Sequence, residues 1–128
     1  MGKLFEYALL RVVPRVERGE FINAGVVLHC SETNFLDARI HLDHGRLSAL
    51  DSKLDQDSVL AHLEAARLVC AGDREAGPIG LLPRRQRFGW LVAPRSTVVQ
   101  PSPVHTGFAA DPEEALEHLL RTMVYPPA

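Results

Sequence analysis

Residues 5–13 (FEYALLRVV) form an apolar run rich in aromatic and β-branched side chains, closed by Pro14. Such a run predicts a largely buried strand. A charged connector follows at 15–20 (RVERGE), with Gly19 free to turn. A second apolar run occupies 21–30 (FINAGVVLHC), where Asn23 and Gly25 mark a bulge or close approach near its start. Between 35 and 42, Phe35, Ala38, Ile40 and Leu42 lie among polar residues, so the second and third runs read as a hairpin. The next four residues, DHGR at 43–46, have the composition of a turn.

The period then changes. Val59, Leu60, Leu63, Ala66, Leu68 and Cys70 form an imperfect apolar stripe of helical spacing, with Asp55 or Asp57 as N-cap and Gly72 as stop. Residues 77–83 are irregular, while 88–93 (FGWLVA) and 96–100 (STVVQ) read as strands. Pro101 and Pro103 confine that last region to an edge strand or loop. A final helix starts at the cap Asp111, with Pro112 at N1 and Glu114 at N3. Its apolar face is Ala115, Leu116, Leu119, Leu120 and Met123, and Pro126 and Pro127 stop it. The order β-β-β-α-β-β-α predicts an α+β fold: a mixed or mainly antiparallel sheet of about five strands, with two helices packed on one face.

Composition fits that reading. The 128 residues are 46% hydrophobic and 23% charged, enough for one globular domain over 1–128 with a core of its own. No apolar run reaches the ~20 residues a membrane span needs, and no leader-like cleavage site follows the N-terminus, so a cytoplasmic protein is expected. Two cysteines, Cys30 and Cys70, cannot make a disulfide scaffold, and neither a cofactor nor a metal is expected. The formal charge of −2 hides an asymmetry. Residues 76–110 contain no Asp or Glu but carry Arg84, Arg85, Arg87 and Arg95, whereas the final helix is acidic.

Candidate chemistry falls into three groups. Arg11, Glu20, Asn23 and Gly25 crowd the first hairpin, where ion pairing and a bulge explain most of them. Asn is depleted in strands, so Asn23 either satisfies backbone groups or meets a ligand. Arg95, Ser96, Gln100, Ser102 and His105 form a second group of hydrogen-bonding residues with no acid among them, suited to an anion. A polar edge strand that resists aggregation accounts for the same residues. The third group, Arg84, Arg85 and Arg87 before Phe88 and Trp90, is the one basic cluster with aromatic neighbours. Trp90 reads as core, and the aromatic content is only 6%, so protein contact is favoured over nucleic acid. His41, Asp43 and His44 diverge along a strand and read as a solvated turn. His29 and Cys30 face opposite ways, and Cys70 reads as a small core residue.

Two segments resemble the bacterial domain of unknown function family 3037. They are Glu20-Phe21-x-Asn23-x-Gly25-Val26 and Ser96-x-x-x-Gln100-x-Ser102-Pro103, and the ending at 111–120 fits as well. The resemblance runs from about residue 5 to residue 124. It brings no activity and no catalytic residues. What it implies is context: association with a neighbouring HipA-like kinase domain.

The leading expectation is therefore an accessory or regulatory domain that acts by protein contact rather than catalysis, with a HipA-like kinase or a second copy of the chain as partner. The rival is a small enzyme or binding domain for a phosphate-bearing or nucleotide ligand, with Glu20 or His105 as general base. That rival requires the Asn23 and Gln100 groups to converge. Nucleic-acid binding through residues 84–90 is the third reading.

Overall fold

The computed structural model describes residues 2–127. Strand β1, Lys3–Val12, is the spine of an antiparallel sheet. On one side it pairs with β2 (Ile22–Cys30), which pairs in turn with β3 (Phe35–Ile40). On the other side two short strands share it end to end. β4 (Val99–Pro101) pairs with Leu10, Arg11 and Val12, and β5 (His105–Ala109) pairs with residues 3–7.

The apolar run of β1 is continuous because both of its faces are covered. Ala8, Leu10 and Val12 pack with Leu47, Val59, Leu63, Ala66, Val69, Phe88 and Leu91. Those residues come from α1 (His44–Leu50), α2 (Gln56–Ala71) and α3 (Arg84–Leu91). Phe5 and Leu9, on the opposite face, pack with Leu116, Leu119, Leu120 and Val124. These belong to α4 (Pro112–Leu119) and the π-helical turn Leu120–Val124 that continues it. The expected two helices on one face are thus corrected: there are more helices, and α2 and α4 lie on opposite faces. The wider π turn also moves the apolar face on by one residue, so Val124 is buried and Met123 is exposed.

Two other expectations change. Residues 43–46 are not a free turn, because the Asp43 carboxylate caps α1 by accepting the Arg46 N–H at 3.0 Å. Residues 88–93 are not a strand but the end of α3 and its cap. The buried positions of that helix are Arg87, Phe88 and Leu91, which is helical spacing with an arginine in the first place. The expected caps Asp55, Gly72 and Asp111 are all in place.

The bulge foreseen at Asn23 and Gly25 is present. Leu10 pairs with Gly25 and Arg11 with Asn23, leaving Ala24 as the extra residue. The Ala24 carbonyl accepts the His41 N–H at 2.8 Å. A Cβ at Gly25 would stand 3.0 Å from the Arg39 carbonyl oxygen, tighter than an ordinary contact, so glycine eases the close approach of β2 and β3 here.

Candidate functional site

An open groove of about 510 Å³ lies where α2 and α3 stop short of the sheet edge. Its α2 wall is His62, Ala65 and Ala66, whose two small side chains leave the space unfilled. Its α3 wall is Trp90 and Leu91. Val98, Val99 and Pro101, with Leu10 of β1, complete a mainly apolar lining, and Arg95, Thr97 and Gln100 supply most of its polarity. No acidic side chain lines it.

Arg95 follows α3 closely enough to fold back on it. Its guanidinium donates to the Trp90 carbonyl at 2.5 Å and to the Leu91 carbonyl at 3.5 Å, so it caps the helix C-terminus. Its guanidinium carbon sits 4.3 Å from the centre of the Trp90 ring, a cation–π contact. Two of its donor groups are used this way; a guanidinium has five N–H bonds. Trp90, expected in the core, is 42% exposed.

β4 is an edge strand, and side chains of its segment bond two of the carbonyls along that edge. Thr97 Oγ1 donates to the Val99 carbonyl at 2.9 Å, and Gln100 Nε2 donates to the Thr97 carbonyl at 2.8 Å. Both bonds blunt this edge as a template for an incoming strand.

The other sequence candidates are scattered around this groove. Arg11 is the cross-strand partner of both Asn23 and Gln100, so those two groups sit in one row across the sheet rather than at opposite ends. Only Gln100 reaches the groove. Asn23 Nδ2 donates to the Met123 carbonyl at 3.1 Å on the α4 side, and Arg11 lies 4.3 Å over the Phe21 ring. Arg11 Nε and Asn23 Oδ1 are buried without a hydrogen-bond partner. Gly25 is committed to strand packing. Glu20 is exposed and paired with Arg18 at 2.5 Å, a contact that holds its carboxyl below the usual range.

Ser96 is exposed outside the groove. Ser102 is buried and structural: its hydroxyl accepts the Leu9 N–H at 2.8 Å and donates to the Pro103 carbonyl at 2.9 Å. His105 lies on β5, opposite Tyr7 in register, with the two rings 5.5 Å apart. The basic cluster divides as well. Arg84 and Arg85 are exposed. Arg87, 7% exposed, donates to the Leu82 and Val69 carbonyls, each at 2.9 Å, and to that of Cys70 at 2.8 Å. It caps α2 from below and is no part of a surface patch.

His29, next to Cys30 in sequence, has a neighbourhood of its own. Its ring is buried and stacked on Phe88 at 5.3 Å, with Nδ1 3.9 Å from Glu6. Burial pushes its pKa down, against the pull of Glu6. Cys70 is buried, and that burial raises its thiol to about 12, which leaves it inert as a nucleophile. Among the described residues no group of three His, Cys, Asp or Glu could hold a metal ion. No helix among them is long and apolar enough to cross a membrane.

Sequence reasoning missed His62, Ala65 and Ala66. The signal available was the pair of alanines beside the leucines of α2, which marks a place where the helix leaves space.

No curated protein and no solved structure matches the chain. A family model does match it over residues 7–124, nearly the whole length. Most of β1, the other four strands, the groove and the final helix fall within that match, and the chain belongs to the family described as Protein of unknown function (DUF3037).

Proposed function

We propose that this domain is an accessory or regulatory module that acts by protein contact, with a HipA-like kinase domain as partner. The observation that carries the reading is the outward side of α3. Arg85, Gln86, Gly89 and Trp90 are exposed along it, with Arg84 at its start and Arg95 stacked on the tryptophan. Tryptophan and arginine dominate the energetics of protein interfaces, and here they are held by a cap and a ring contact before any partner arrives. The partner is the one that the family resemblance implies.

Nucleic-acid binding draws less support from the same helix, because Arg87 is committed to the α2 carbonyls and two exposed arginines make a small phosphate footprint. A nucleotide ligand draws less support too, since the groove has an apolar lining and one arginine.

Co-expression with the neighbouring kinase-like protein tests the proposal. A stable complex is expected at micromolar concentration, weakened at least about tenfold by the double change Arg85→Glu and Trp90→Ala. Independent elution of two free proteins would overturn it.

A further inference from the structure

We infer that the groove between α2, α3 and β4 is a binding site for a small carboxylate with a flat, apolar body. The inference goes beyond the partner reading and does not depend on it. Its volume of about 510 Å³ lies within the usual range for small-molecule sites, roughly 300–1,000 Å³. Leu10, Ala65, Ala66, Leu91 and Val99 provide apolar walls for the body of the ligand, and the Trp90 ring offers a face against which a flat group can stack.

The charge of the ligand follows from Arg95. It is the one arginine that lines the groove, and no acid lies beside it. Part of its field is already used on the carbonyl end of α3. What is left suits one negative charge. A phosphate monoester brings close to two, and the repulsion from the nearby helix C-terminus grows with that charge. His62 on the α2 wall adds a second hydrogen-bonding group.

The same geometry argues against an extended peptide. The bonds of Thr97 and Gln100 engage the Val99 and Thr97 carbonyls, which makes this edge a poorer template for strand addition. A small rigid acid needs none of them.

The test uses the chain alone with two probes of equal shape, 2-naphthoate and the uncharged 2-naphthamide, followed by calorimetry and by amide and indole chemical shifts. The acid is expected to bind about tenfold more tightly than the amide, with shifts centred on Trp90, Ala65 and Val99. Arg95→Gln should abolish that preference by weakening the acid far more than the amide. Ala65→Leu, a change on an exposed helix position, should exclude both probes and leave the urea midpoint unchanged. Equal binding of acid and amide, tighter binding of 2-naphthyl phosphate than of the acid, shifts away from the groove, or no binding of either probe at millimolar concentration would each overturn the inference. Loss of the kinase-like complex, tested separately, would not.

Discussion

The two faces of the sheet are built from the same strands and end differently. On the α4 face, leucines close the apolar layer and a charged clamp locks the helix down. Arg39 of β3 binds Glu117 at 2.8 Å and Glu113 at 3.1 Å, both on α4, and also pairs with Asp37. On the α2–α3 face the helices come close to the sheet but leave a groove beside β4. A short helix at a sheet edge covers what it reaches. α3 is eight residues long and stops at Leu91, and α2 presents alanines where the gap opens. The closed face gives stability, and the open one gives a surface with chemistry on it.

The contrast can be broken from its closed side first. Leu116 is fully buried against Phe5, Leu9 and Leu119. Leu116→Ala should cost about 3 kcal/mol in urea unfolding, because the cavity cannot relax between a helix and a sheet. A cost under about 1 kcal/mol would mean that the α4 layer is not tightly packed.

On the open side the matching test is pH. His29 is held neutral by burial, so the unfolded chain takes up a proton at about pH 6.5 while the folded one still resists. Stability should be full above that pH and fall as the pH drops through 6.5 toward the depressed folded value. His29→Gln should flatten this slope. A wild-type profile that is flat between pH 7 and 5 would show that Glu6, 3.9 Å away, compensates the burial.

The smallest effect belongs to the clamp. The Arg39 side chain is partly exposed and its acidic partners more so, which weakens each pair through solvent screening. Arg39→Gln should cost about 0.5–1 kcal/mol at low ionic strength and less in molar salt. An effect unchanged by salt would point to packing by the arginine stem rather than charge.

Much of this arrangement was legible in the residues. The first three strands, the Asn23–Gly25 bulge and the caps Gly72 and Asp111 follow from pattern, Asp55 was one of two N-caps the pattern allowed, and the family came by resemblance. α3 was not legible, because its inward stripe begins with Arg87, a charge that satisfies buried carbonyls. β5 was not legible for a related reason. It shows no alternation of its own, since the space at Gly107 is filled by the Phe5 ring of β1, within 2.6 Å of where a Cβ would stand. The continuous apolar run of β1 did carry the information that helices cover both faces. The groove depends on what α2 lacks, and a missing side chain leaves only alanine as its trace.

Ser102 gives the open face a mechanical property. β4 has three residues, the short end of the usual strand range, and prolines at 101 and 103 remove donors on either side of the serine. Its two ends are pinned to β1, one by the Val13 N–H to the Val98 carbonyl at 2.7 Å, the other by Ser102 through both its backbone and its hydroxyl. The wall of the groove is therefore a short beam clamped at both ends. Between those fastenings only the short ladder to Leu10, Arg11 and Val12 holds the wall, so the serine carries a large share of its attachment.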